Sequence, residues 1–62
     1  MRSLVVHAVM RKARAVFDSE AWVVKKVFDA DGKVLVEVVR RRDGKHFTFE
    51  YDPREDTFRV VR

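Results

Sequence analysis

From Ala21 onward the chain alternates between apolar and polar side chains, through Ala21 to Phe28, Lys33 to Arg42, His46 to Tyr51 and Thr57 to Val61. A period of two places successive side chains on opposite faces of a sheet, so each run reads as a half-buried strand. The gaps between these runs hold at most five residues. Parallel pairing needs a crossover of roughly a dozen residues or more, so the four runs can pair only as an antiparallel meander.

The gaps carry turn chemistry that supports this. Asp31-Gly32 and Asp43-Gly44 are both Asp-Gly pairs, the residue types that accept the positive φ of a two-residue type I′ hairpin. The third gap, Asp52-Pro53-Arg54-Glu55-Asp56, offers Pro where φ near −65° is wanted and Asp56 where a left-handed residue is required. Glycine would adopt that conformation more easily, so Asp56→Gly is expected to stabilise the turn.

The first residues follow a different period. Ser3 can cap a helix from Leu4 to Phe17, in which Val6, Val9, Met10, Ala13, Val16 and Phe17 fall at helical spacing and form the stripe to be buried. His7, Arg11, Arg14 and Asp18 lie opposite, with Arg14 and Asp18 as i,i+4 neighbours. Several valines lower the intrinsic helix propensity, so packing on the sheet must hold this helix.

Face and register follow from the turns. If Asp43-Gly44 is a two-residue loop, Val38 opposes Phe49 and Val36 opposes Tyr51, while the last turn sets Tyr51 against Phe58 and Phe49 against Val60. The inner face is then Val34, Val36, Val38, Phe47, Phe49, Tyr51, Phe58 and Val60. Strict alternation through the first strand would point a lysine into the core. A β-bulge at Lys25-Lys26 avoids this, leaving Trp22, Val24 and Val27 inside. On the outer face this register aligns Lys26, Glu37, Glu50 and Arg59 in one row. Val23, Val39, Thr48 and Val61 lie on one side of that row, and Phe28 and Leu35 on the other. A sheet face this apolar calls for a partner, and Val23, Phe28, Leu35, Val39 and Val61 are the expected self-association residues.

Composition narrows the function classes. A chain of 62 residues without cysteine has no disulfide, no thiol nucleophile and no cysteine-type zinc site. So small a domain buries only about 60% of its unfolded surface, so association is one way to gain stability. The net charge of +4 is a modest basic bias in which acidic and basic residues are interspersed. Met1 to Met10 lacks the long apolar stretch and cleavage site of a secretory leader, and no run is long enough to span a membrane. The expectation is a soluble protein, cytoplasmic where expressed in a cell.

No catalytic constellation emerges, and the chain is read as not an enzyme. The closest carboxylate pair is Glu37 with Glu50, on an open face between Lys26 and Arg59, where a surface charge ladder is the simpler account. His7 and His46 fall on different faces, so neither a metal nor any other cofactor is expected. The densest basic cluster, Arg40, Arg41, Arg42 and Lys45, is the candidate nucleic-acid contact. Its neighbours Phe47 and Phe49 point inward in this register, which removes them as a stacking platform.

The segments FDADGKVLVEV, RRRDGKHFTFEYD and DPREDTFRV resemble the hairpins of computationally designed α+β miniproteins, over Phe28 to Val61. The likeness rests on Asp-Gly loops, an Asp-Pro turn, and valine or aromatic residues alternating with Lys, Arg, Glu and Thr. The helix departs from it, being rich in Val and lacking a capping box. A helix before a four-strand meander is also similar to cystatin-like and PepSY-like domains. The inhibitory hairpin loop of cystatins has no counterpart here, so that activity is not implied.

The sequence therefore predicts a single α+β domain over residues 1–62, one N-terminal helix on a four-stranded antiparallel meander. The expected function is that of a designed or idealised scaffold, without natural biochemical activity, that forms a homodimer through its sheet. The alternatives are a small nucleic-acid-binding module using the second hairpin, and an accessory or inhibitory domain that docks a partner by its sheet edge.

Overall fold

The four alternating segments pair with their sequence neighbours, giving an antiparallel sheet in the order β1-β2-β3-β4 with one helix on it. In the computed structural model, which describes residues 2–61, α1 spans Arg2–Phe17, β1 Trp22–Ala30, β2 Lys33–Arg40, β3 His46–Asp52 and β4 Thr57–Val60. This is the α+β architecture the sequence predicts. The helix begins at Arg2, so Ser3 belongs to its first turn instead of capping it.

Two of the three turns form as their residues require. Ala30 pairs with Lys33 across Asp31 and Gly32, whose φ values of 54° and 74° are both positive, as a type I′ turn demands. In the last turn Asp52 Oδ1 accepts the amides of Arg54 and Glu55 at 3.0 and 3.4 Å, and Asp56 takes a φ of 55°. The Asp56 carboxylate also accepts the Tyr51 hydroxyl at 2.5 Å and pairs with Lys12 Nζ at 3.2 Å. Glycine at this position would relieve the left-handed strain but lose both contacts, which removes the gain expected of Asp56→Gly.

The second turn is longer than the Asp-Gly pair suggests. Arg40 N–H donates to Lys45 O at 2.9 Å and Gly44 N–H to Arg40 O at 2.7 Å, so residues 41–44 form a four-residue connection. The Asp43 side chain holds it, accepting Arg40 Nε and Nη2 and the Lys45 amide. The β2–β3 register consequently pairs Val36 with Phe49, Val38 with Phe47 and Val34 with Tyr51, two positions from the expected one. A shift of two preserves the face of every side chain, so the inner and outer sets survive while the rows across the sheet change.

The bulge sits where the lysine pair demands it. Val24 pairs with Val38 and Lys26 with Glu37, leaving Lys25 as the extra residue. Both lysines are exposed, and Val24 and Val27 on either side are buried. The connector after α1 braces this strand, because Asp18 Oδ1 accepts the Val24 amide at 2.9 Å.

The core is small. Among the described residues Val9, Ala13, Val24, Val27, Val36 and Val38 are the buried side chains, with none larger than valine. Val6, Met10, Phe17, Trp22, Val34, Phe49, Tyr51 and Phe58 pack around them and stay half-buried. The helix backbone packs on β1 and β2. A helix about 10 Å across covers roughly two strands spaced about 4.8 Å apart, so one helix cannot roof four. Phe17 reaches toward the other two strands, with its ring 4.6 Å from that of Phe49 and 5.3 Å from that of Phe58. Val16 and Val60, both expected inside, are 64% and 57% exposed as a result.

Candidate functional site

The outer sheet face follows from the new register. Val23 pairs with Val39, which pairs with His46; Lys26, Glu37 and Thr48 form the next row, and Phe28, Leu35, Glu50 and Arg59 the one after. Val61 donates its amide to Thr48 O at 2.9 Å, which extends the middle row to the edge of the sheet. Of the expected self-association residues, Val23, Phe28, Leu35 and Val39 are half-buried by their sheet neighbours and Val61 is exposed. All five lie on the face opposite α1. They form two apolar cross-strand pairs and an outlying valine, separated by the polar middle row.

Glu37 and Glu50 are not opposed, which corrects the expected central contact. The longer β2–β3 connection moves Glu37 opposite Thr48 and Glu50 opposite Leu35 and Arg59. Each carboxylate finds its own partner. His46 Nδ1 donates to Glu37 Oε2 at 2.5 Å, and Lys33 Nζ lies 4.0 Å from Glu50 Oε1. Lys26 Nζ sits 5.0 Å from the centroid of the Phe28 ring, adding a cation–π contact. Both carboxylates of this face therefore have a partner within one chain. His7 lies exposed on the helix and His46 on this outer face. Among the described residues no three metal-ligating side chains come together, and no helix is long and apolar enough to cross a membrane.

The basic cluster at the β2–β3 tip divides into two kinds of residue. Arg40 is held by Asp43, Nε to Oδ1 at 3.2 Å and Nη2 to Oδ2 at 2.9 Å, in the two-pronged geometry that suits guanidinium and carboxylate. Arg41 Nε donates to Ser19 O at 3.1 Å and Trp22 O at 3.3 Å, while its amide donates to Ala21 O, tying the tip to the connector after α1. Arg42 and Lys45 are exposed. Sequence reasoning placed these four together and missed the structural roles of the first two. Asp43 three residues after Arg40 was the available signal for one; nothing local to Arg41 marks its reach across the fold.

Phe47 and Phe49 point inward as expected, but inward is not covered here. Trp22 and Phe47 stand edge to face, centroids 5.4 Å apart, at the end of the sheet nearest the tip. Arg40 lies over both rings at 5.9 and 5.2 Å, and Lys45 Nζ is 5.9 Å from the Phe47 centroid. The rings and the cations thus share one end of the molecule, contrary to the expectation that burial separates them. The cause is the off-centre helix.

Electrostatics at the tip yield a direct prediction. The hydrogen bond from Arg40, then that from the Lys45 amide, hold the Asp43 carboxyl at about 2, below its ordinary 3.8. A carboxylate with a depressed folded-state pKa adds stability above its unfolded value and loses it as pH falls through the folded one, so this contribution fades between about pH 4 and pH 2. In Arg40→Gln the Asp43 carboxyl carbon should titrate nearer its ordinary range in an NMR pH series. An unchanged midpoint would show that Arg40 is not its partner. At the other end of the sheet the Asp56 hydrogen bond raises the Tyr51 pKa, and Asp56 is lowered, chiefly by Tyr51 and then by Lys12.

Compared with known families, curated proteins and solved structures, the chain matches no family model, no curated protein and no solved structure.

Proposed function

We propose that this chain is a self-associating scaffold domain, of the designed α+β kind its turns resemble, whose partner is a second copy packed on the outer sheet face. The observation that carries the proposal is the state of that face: Val23–Val39 and Phe28–Leu35 form apolar cross-strand pairs on which no helix or strand packs among the described residues, the Lys26 ammonium over the Phe28 ring being a side-chain contact within the face. Its charged groups strengthen the case. Because Glu37 already accepts a hydrogen bond from His46 and Glu50 has Lys33 beside it, covering this face does not strand an unpartnered carboxylate, which is the most expensive outcome of burying charge. A core without any side chain larger than valine adds a reason to bury more surface.

Size sets the strength. Four strands about 4.8 Å apart and about seven residues long present a plan area of roughly 400–450 Å² per copy, well below the ~800 Å² per partner of a standard interface. The dimer is accordingly weak, and the test belongs at high micromolar concentration. Light scattering after gel filtration should give twice the 7.4 kDa chain mass there, falling to one on dilution. Val39→Lys and Leu35→Lys should each hold the mass at one chain with the circular dichroism unchanged. A wild-type mass of one chain throughout that range would sink the proposal.

A further inference from the structure

We infer that the partly open half of the inner face, together with the β2–β3 tip, is a binding site for single-stranded nucleic acid, with bases against Trp22, Phe47 and Phe49 and phosphates at Arg42, Lys45 and the outer edge of Arg41. This site lies on the other face from the dimer contact and does not depend on it.

The geometry starts from the helix position. Because α1 packs mainly on β1 and β2, the inner side chains of β3 and β4 are covered in part, by the Phe17 ring against Phe49 and Phe58 and, at the far end, by Lys12 reaching Asp56 beside Tyr51. This side combines the exposed Val16 and Val60 with a set of half-buried rings: Phe47, Phe49 and Phe58 from β3 and β4, Trp22 from β1 and Phe17 from the helix. Two hollows run through this surface. One of about 340 Å³ is lined by Val16, Phe17, Ser19, Trp22 and Phe49. The other, of about 470 Å³, is lined by Trp22 together with Glu20, Ala21 and Arg40 to Arg42. Trp22 is the wall they share, so an apolar slot opens directly beside a cationic one.

Charge complementarity then selects the occupant. Arg40 is neutralised by Asp43, but Arg41 uses only Nε internally and keeps its terminal nitrogens for a ligand, and Arg42 and Lys45 are exposed. Glu20 offsets one of these three charges, and the chain as a whole carries +4. A neutral apolar peptide has no use for the cations, and a duplex has its base faces stacked away from the rings. A single strand presents π faces and phosphates in alternation, which matches rings beside guanidinium groups. Trp22 and Phe47, with Phe17 and Phe49 beside them, set half-buried rings next to the free cations, and this favours bases over the side chains of an acidic peptide.

Trp22 is the sole tryptophan and reports directly on the site. Titrating an oligothymidylate of about twelve nucleotides into low-micromolar protein should quench its fluorescence. With two to three phosphates neutralised, the affinity should fall about tenfold between about 50 and 200 mM salt. Replacing Arg42 and Lys45 together with serine should weaken binding at least tenfold with the circular dichroism unchanged, and Phe47→Leu should weaken it several-fold with less change in salt dependence. Absence of quenching at low salt, equal affinity for duplex, or an unaffected Arg42/Lys45 double variant would each overturn the assignment. So would polyglutamate binding as tightly as the oligonucleotide, which would make the tip an acidic-peptide site. Because the readout is Trp22 and not mass, failure here leaves the dimer proposal standing, and the reverse holds too.

Discussion

Val36→Asp should leave the chain unfolded, or nearly so, at room temperature. Val36 is fully buried at the centre of the sheet, paired with Val27 on one side and Phe49 on the other, under the helix. Among the described residues no polar or charged side chain is buried in this core, so an aspartate there finds no hydrogen-bond partner or counter-charge. Stranding a carboxylate in such a place costs about 4 kcal/mol or more. A domain of 62 residues has only about 3–9 kcal/mol of stability to lose, at roughly 0.05–0.15 kcal/mol per residue. The same change on the opposite face is the control: Val23→Asp, which loses one cross-strand pair but leaves the carboxylate in water, should cost only about 1 kcal/mol of monomer stability. Circular dichroism and urea titration at low micromolar concentration distinguish the two. A cooperative Val36→Asp transition at the wild-type midpoint would show that the assigned interior is wrong. Val36→Ala, expected to cost about 2 kcal/mol, keeps the test readable if the aspartate variant does not express.

This contrast between faces depends on what alternation can and cannot specify. A period of two fixes which side chains share a face, and it does so even when the pairing slides by two. That is why Val36 and Val38 are inside although their partners across β3 differ from the expected ones. The slide originates in one loop. Asp43-Gly44 has the composition of a two-residue turn, but Asp43 is engaged by Arg40 and by the Lys45 amide, and the connection opens to four residues. Side-chain competition of this kind is invisible to a motif that counts only Asp and Gly. The bulge was legible because Lys25-Lys26 left alternation no other way to keep both lysines in water.

Helix placement was the part alternation could not supply. A stripe of apolar residues states that α1 packs on the sheet, not which two of the four strands it covers. The short connector decides that, because residues 18–21 return the chain directly into β1, and Asp18 binds the Val24 amide. The helix is thereby tethered over β1 and β2, Val16 and Val60 are left outside, and the aromatic half of the inner face stays open. Arg41 reinforces the same tether from the far end of β2. The candidate binding surface is thus a consequence of connector length, a feature with no motif of its own.

Two single-residue deletions facing each other across the β1–β2 ladder should have opposite outcomes, and together they test both the bulge and the central strand. Deleting Lys25 removes the one residue of β1 without a partner. Val24 would still pair with Val38 and Lys26 with Glu37, and alternation through Trp22, Val24 and Val27 would become regular. The strand loses its local kink and some twist, so the cost should stay within about 1 kcal/mol, or less than about 8 °C in Tm. Deleting Glu37 should be far worse. Glu37 separates the two fully buried valines, Val36 and Val38, and without it they become adjacent and must point to opposite faces. Because β2 is paired on both sides, the misfit cannot be absorbed at an open edge: Lys26 of β1 and Thr48 of β3 both lose their partner. Turning one buried valine into water and drawing a neighbour inward costs several kcal/mol, comparable to the whole stability of the domain. The Lys25 deletion should therefore melt cooperatively near wild type while the Glu37 deletion shows no transition. Equal destabilisation by the two would mean that the strands do not share the register that places every residue on its face.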